Sequence, residues 1–191
     1  MASSKPIVCR VKAVPGLFYF KNIDPHGIVD WFASVRHEAE PVPDMMGRVG
    51  KNPRYRLDYG KKYLTRGDVT DAPPMPDELM DFVLYCDSLV QALGIENLPD
   101  KAPDQCLINI YAPGQKISAH IDNARHFDSV IFCATFGSSR IMRFTRGDQA
   151  VDVQTEPNSL YVMSGDARYV WKHEMLPATE ECYSITARYM L

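Results

Sequence analysis

The chain lacks the features that would commit it to a membrane, a disulfide framework or a polyanion by bulk charge. No run of 18 apolar residues occurs among its 191 residues, which argues against a transmembrane helix. The opening Met-Ala-Ser-Ser-Lys-Pro lacks the apolar core of a secretory signal, so a soluble protein of the cytoplasm, the nucleus or both is expected. Five cysteines (Cys9, Cys86, Cys106, Cys133, Cys182) lie far apart, odd in number and without a Cys-x-x-Cys. Free thiols are therefore expected, and a disulfide framework or cysteine-bound zinc is not. The formal net charge is only −3, so composition gives no sign of nucleic-acid binding. Charge is nevertheless uneven: Arg48, Lys51, Arg54, Arg56, Lys61 and Lys62 fall close together, and Arg140, Arg143 and Arg146 form a second group. Either group equally describes an ordinary solvated surface.

What is present points to one globular domain over 1–191, 46% hydrophobic and without a linker long enough to divide it. Over 1–104 the pattern is helical and loop-like. An aromatic run, Leu17-Phe18-Tyr19-Phe20, precedes Asp24-Pro25, which reads as N-cap and first residue of a helix through about Arg36. Pro41, Pro43, Gly47 and Gly50 mark a loop, and Tyr55-Arg56-Leu57-Asp58-Tyr59 reads as a short strand. Leu79, Phe82, Val83, Cys86, Leu89, Val90 and Leu93 recur at helical spacing, predicting a helix from about Pro76 to Leu93 with its apolar stripe on a sheet. Over 105–191 the period becomes two. Strands are predicted at 105–111, 116–122, 129–136, 140–145, 150–154, 159–163, 168–173 and 182–189, most of them separated by turn signals. Arg146-Gly147-Asp148 is one of those turns. The fold class expected is α+β, mainly β: a jelly roll of two facing sheets, with the N-terminal helices packed on one of them.

Within this frame one constellation carries chemistry. His120-Ile-Asp122 lies on a predicted strand after a Pro-Gly turn, and His173 lies on another. Alternate residues of a strand share a face, which would put Ser118, His120 and Asp122 together. In strand 168–173, His173 would share a face with Tyr169 and Trp171 and point inward. Two imidazoles and a carboxylate can cap one face of an octahedral Fe(II), leaving three positions open for a co-substrate and oxygen. A second pair, His126-Phe-Asp128, reads as a polar loop after the strand.

These residues resemble the AlkB-like Fe(II)- and 2-oxoglutarate-dependent dioxygenases, over most of the chain from Val14-Pro15-Gly16-Leu17 onward. Within that family the chain is similar to the tRNA-modifying branch, though the RNA-recognition and methyltransferase domains of its vertebrate member are absent from these 191 residues. The likeness is carried by Asp104 to Tyr111 with Pro113-Gly114-Gln115, by His120-Ile121-Asp122 with Phe127, and by Ser159 to Gly165 continuing through Arg168 to His173. It implies that His120, Asp122 and His173 hold Fe(II), that Asn109 and Tyr111 contact 2-oxoglutarate, and that molecular oxygen is consumed. The partner implied is nucleic acid, RNA before DNA, and a monomer without membrane attachment is expected. The loop at 46–60 takes the place of the family's nucleotide-recognition lid, where Tyr55 and Tyr59 could stack on a base while Arg54 and Arg56 meet phosphates. The two tyrosines could equally pack the lid onto the sheet.

Two departures from the family pattern stand out. The closing strand of the family reads Arg-x-Asn-x-Thr-x-Arg, both arginines gripping co-substrate carboxylates. Here the strand is Cys182-Tyr183-Ser184-Ile185-Thr186-Ala187-Arg188, so Ser184 and Thr186 join Arg188 in the co-substrate set while Cys182 replaces the first arginine. Either another cation compensates, with Arg143 or Lys172 as candidates, or co-substrate binding is weakened, or Arg188 takes the place of the first arginine. The second departure is Asn123-Ala124-Arg125, where DNA-repair members carry acidic residues. The alternatives to a nucleic-acid substrate are a protein side chain, or a weakly active binding module that keeps the fold.

Overall fold

The computed structural model describes residues 5–44, 46–64, 68–177 and 179–191, and the first four residues of the opening quoted above lie outside these. The N-terminal part contains β1 (Ile7–Arg10), β2 (Leu17–Lys21), α1 (Ile28–Val35), β3 (Glu40–Pro41), β4 (Tyr55–Tyr59), β5 (Lys61–Tyr63), β6 (Val69–Asp71) and α2 (Asp77–Gln91). The remainder contains β7 (Gln105–Tyr111), β8 (Ile117–His120), β9 (Phe127–Gly137), β10 (Arg140–Arg146), β11 (Gln149–Thr155) and β12 (Ser159–Met163). After these come the short helix α3 (Gly165–Tyr169), β13 (Lys172–Met175) and β14 (Cys182–Met190).

An eight-stranded sheet, ordered β1-β2-β12-β9-β14-β7-β4-β3, faces a four-stranded sheet, β11-β10-β13-β8. This is the mainly β jelly roll, with one helical layer outside. The core divides along the strand period. On β9, Val130, Phe132, Ala134 and Phe136 face the helices, while Ile131 and Cys133 face the second sheet. α2 lays Leu79, Phe82, Val83, Cys86 and Val90 on the first of these layers. Each such burial is worth roughly 1.5–3 kcal/mol. Met142, Phe144 and Met175 of the smaller sheet close the other layer against Tyr19, Tyr111 and Tyr161.

Three expectations change. The aromatic run at 17–20 is a sheet strand, β2, with Phe18 and Phe20 on one core and Leu17 and Tyr19 on the other. The region 1–104 therefore contributes strands to the main sheet as well as helices and lid. The first helix begins at Ile28 and not at Pro25, because His26 (φ 46) and Gly27 (φ 75) are left-handed and Asp24 Oδ1 accepts the His26 N–H in a turn. Lastly, 168–173 is not one strand: its first two residues end α3.

Val14-Pro15-Gly16 locks α3 in place. Ser164 N–H and its hydroxyl both donate to the Gly16 carbonyl (2.9 and 3.1 Å), and Ala167 N–H donates to Pro15. Gly16 sits at φ +85, and a Cβ there would lie 2.0 Å from the Ser164 carbonyl oxygen. Gly16→Ala should therefore lower stability by about 2–4 kcal/mol, from left-handed strain plus the forced shift. A denaturant midpoint measures it, and an unchanged midpoint would show that this docking is slack.

Candidate metal centre and co-substrate cavity

β8 and β13 run antiparallel with His120 directly opposite His173, and the two rings lie 4.3 Å apart, centroid to centroid. Asp122 reaches them differently from expectation. The strand ends at His120, so Asp122 is presented by the following loop. Arg168 holds that loop: its buried guanidinium donates to the backbone carbonyls of Asp122 (2.8 Å), Phe127 (2.9 Å) and Asp128 (3.2 Å). Arg168 belongs to the stretch that carries the family likeness, but sequence reasoning gave it no role, because its partners are backbone carbonyls 40 to 46 residues away. One ligand atom from each of His120, Asp122 and His173 falls within 4.8 Å of the others; among the described residues no other histidine, cysteine or acidic trio is so placed. His126 instead packs on Tyr63 (5.7 Å between ring centroids) and Asp128 accepts the Ser129 N–H.

The protonation states suit a metal. Burial alone would raise the Asp122 carboxyl, but the Arg188 guanidinium, with Arg168 acting in the same sense, outweighs it and holds the group below the usual carboxylate range. Burial pushes His173 down to about 4, so its ring is neutral and keeps a lone pair to give. Its Nε2 faces Asp122 Oδ2 at 3.6 Å. The Nδ1 of His120 lies 2.9 Å from the Ser118 carbonyl, which fixes the tautomer with Nε2 free. Two imidazoles and an ionised carboxylate are a donor set that fits Fe(II). Trp171 and His173 are buried, whereas Tyr169 is 44% exposed on α3 and does not share their face.

The trio opens into a cavity of about 820 Å³, ample for a small dicarboxylate and part of a second molecule. Asn109, Tyr111, Ser184, Thr186 and Arg188 all line it. Arg188 donates to Gln105 Oε1 (3.0 Å) and to Asp122 Oδ1 (3.3 Å) and lies over the Phe127 ring. Tyr111 shares a hydrogen bond with Ser184, and burial pushes its phenol up to about 12. Buried polar atoms without a partner gather here: Gln105 Nε2, Asn109 Oδ1, His173 Nδ1, Arg54 Nε and Arg188 Nε all belong to lining residues. Such atoms are rare in folded proteins, and a cluster of them around one cavity fits a polar ligand such as 2-oxoglutarate.

The lid splits in two. On β4, Arg56 and Asp58 line the cavity as an ion pair (2.9 Å), and Arg54 joins them there. Leu57 and Tyr59 point the other way, into the helix-side core. By strand alternation the half-exposed Tyr55 shares that outer face. Tyr59 is therefore a packing residue, not a base-stacking one. The aromatic that lines the cavity from the lid side is Tyr63, set against Phe127 with its hydroxyl accepting from Asn123. Gln115 ties the lid down, its Nε2 donating to the carbonyls of Asn52 (3.2 Å) and Pro53 (2.7 Å). Neither cation expected to offset Cys182 is available: Arg143 pairs across the hairpin with Asp152 at 2.7 and 2.8 Å, and Lys172 points to solvent.

Comparison with known proteins agrees with this geometry. The family described as the 2OG-Fe(II) oxygenase superfamily matches residues 30–189. The chain belongs to that superfamily. As a member the domain is an Fe(II)- and 2-oxoglutarate-dependent dioxygenase. Among its relatives is the uncharacterized protein L905 of Acanthamoeba polyphaga mimivirus, 32% identical over 144 residues, 74% of this chain and 63% of that protein. The tRNA (carboxymethyluridine(34)-5-O)-methyltransferase ALKBH8 of Macaca fascicularis is 41% identical over 101 residues, 52% of this chain and 15% of that protein. The alpha-ketoglutarate-dependent dioxygenase AlkB of Escherichia coli is 31% identical over 126 residues, 60% of this chain and 57% of that protein. The superfamily member is thus AlkB-like, and it spans less than two thirds of each of these relatives. Among solved structures, that of OsALKBH1 superposes with a TM-score of 0.71 at 16% identity, covering 96% of this chain and all of that one. A Pseudomonas putida prolyl-4-hydroxylase gives 0.68 at 16% identity over 92% of this chain and 93% of that one, a likeness of fold alone. No helix among the described residues is long and apolar enough to cross a membrane.

Proposed function

We propose that this chain oxidises an alkylated or otherwise modified base in nucleic acid, RNA before DNA. The observation that carries the reading is the meeting of the His120–Asp122–His173 trio, the Arg188 guanidinium and the cations Arg54 and Lys116 at one cavity. AlkB and ALKBH8 relatives support a nucleic-acid substrate, and the tRNA methyltransferase named among them supports RNA. His120, Asp122 and His173 hold the iron, and Asn109, Tyr111, Ser184, Thr186 and Arg188 hold 2-oxoglutarate. Iron, oxygen and 2-oxoglutarate, when bound, supply the oxidation of a C–H bond to an alcohol, with succinate and carbon dioxide as co-products.

The protein's own residues supply placement. Arg168 fixes the loop that presents Asp122, Arg188 keeps that carboxylate ionised, and burial keeps His173 neutral. Phe127, Ile131, Met142 and Met163 give the cavity an apolar wall that limits water around the reacting carbon. An oxidised N-methyl group then leaves as formaldehyde and restores the base, whereas a carbon-linked group stays hydroxylated.

On the lid side Arg54 and Lys116 line the cavity without an ion-pair partner among the described residues, whereas Arg56 is neutralised by Asp58. Tyr63→Ala should weaken single-stranded RNA binding by about 1–3 kcal/mol, the value of one base–aromatic stack. Arg54→Ala should weaken it too and flatten the salt dependence by about 0.7 in log–log slope, one phosphate contact on a single strand. Tyr55→Ala should change little, and Tyr59→Ala should lower stability instead. Fluorescence anisotropy across a salt series checks the first three and a denaturant midpoint the fourth; wild-type protein that does not bind oligonucleotide would overturn the nucleic-acid reading.

A further inference from the structure

β14 brings a single arginine, Arg188, to the cavity, and at the Cys182 end of the strand the structure holds a buried cation with no assigned role. Arg140 opens β10 and is only 2% exposed. Its guanidinium lies 4.3 Å from the centroid of the Tyr111 ring. It makes one long hydrogen bond, to the Gln115 carbonyl at 3.4 Å, while its Nε and other Nη are buried without partners. No carboxylate pairs with it among the described residues. The groups that oppose the effect of burial on it are Cys182 and Tyr111. A buried guanidinium with idle donors is costly unless an anion arrives.

Its place matches the gap. Cys182, Ser184, Thr186 and Arg188 alternate along β14 and so share one face, and the last three line the cavity. Tyr111 pairs with Cys182 in register and lines the cavity as well. Arg188, at the other end of the strand, is already engaged with Asp122 and Gln105. Arg140 itself stands behind Tyr111, at the Cys182 end.

We propose that Arg140 is the second carboxylate anchor: it supplies, from β10 and across Tyr111, the positive charge that β14 lacks at Cys182. Arg188 serves one carboxylate of 2-oxoglutarate and Arg140 the other. The inference rests on the co-substrate assignment above. Its rival is Arg54, which approaches the same ring from the lid, 5.8 Å from the centroid.

The test is calorimetric titration of the full chain loaded with Mn(II), a redox-silent stand-in for Fe(II). The two probes are 2-oxoglutarate and 2-oxopentanoate, which has a methyl group where the distal carboxylate would be. Arg140→Met should weaken 2-oxoglutarate by roughly 150- to 4,000-fold, the loss expected on breaking a buried charge pair, and leave 2-oxopentanoate unchanged. Combining Arg140→Met with Cys182→Arg should recover most of the loss, which a merely structural role for Arg140 does not allow. Should Arg140→Met not fold, Arg140→Lys should still weaken 2-oxoglutarate selectively, since it keeps the charge and loses the fork. Arg54→Met, at the rival cation, should cost 2-oxoglutarate far less than Arg140→Met does and should not discriminate between the two ligands. Equal loss of both ligands, no loss of 2-oxoglutarate, or a selective loss in Arg54→Met instead would each overturn the assignment. Wild-type protein that binds neither 2-oxo acid would overturn the co-substrate assignment itself.

Discussion

Replacing His120, Asp122 or His173 by alanine should abolish turnover and weaken Fe(II) binding beyond the roughly 10–100-fold that loss of a supporting partner costs. The reason is coordination number: three protein ligands leave no spare, so removing one leaves a two-point site. The fold should survive in each case, because His120 ends a strand, Asp122 lies in a loop, and the hydrophobic layers continue on either side of His173. His126→Ala and Asp128→Ala should retain the metal, since these side chains face Tyr63 and the Ser129 N–H. Anaerobic calorimetry with Fe(II), alongside circular dichroism, separates lost ligation from lost structure. Metal binding that survives the first set and fails in the second would put the centre elsewhere.

Arg188→Ala should cost on the order of 3–5 kcal/mol of 2-oxoglutarate binding, by analogy with broken buried ion pairs. Arg188 is 8% exposed, so solvent cannot take over its role. The same change should be felt at the metal. Arg188 is the main group holding the Asp122 carboxyl down against burial; without it that pKa rises. Protons then compete for Asp122 at higher pH, and metal binding in the variant should fail, as pH falls, before it fails in the wild type. A titration of 2-oxoglutarate, and of metal against pH, reads both effects. Unchanged 2-oxoglutarate affinity would remove Arg188 from the site.

Much of this was legible because turn signals and helical spacing are local. β7 and β12 are short apolar runs next to turn signals, the stripe on α2 recurs at helical spacing, and a strand-borne His-x-Asp with a distant histidine points to the metal. What escaped depends on neighbours remote in sequence. The run at 17–20 is buried on both faces and so carries no alternation to mark it as β2. α3 has five residues, too few for helical periodicity, and is set by its docking on Gly16. The choice of Arg143 as a compensating cation overlooked a signal that was present. Arg140, Met142 and Phe144 share one face of β10, so Arg143 had to point out. The same period on β4 separates Tyr59 from Arg56 and Asp58.

If metal, co-substrate and nucleic acid meet in one cavity, a modified nucleic acid should stimulate succinate formation. The full chain with Fe(II), 2-oxoglutarate and oxygen should be offered modified single-stranded RNA, matched DNA, unmodified RNA and a peptide set, with product masses recorded. The expected result is succinate formed in step with oxidation of the modified base, fastest on RNA and abolished by His120→Ala. Stimulation by peptides and not by nucleic acid, or no 2-oxoglutarate turnover with any of them, would contradict it.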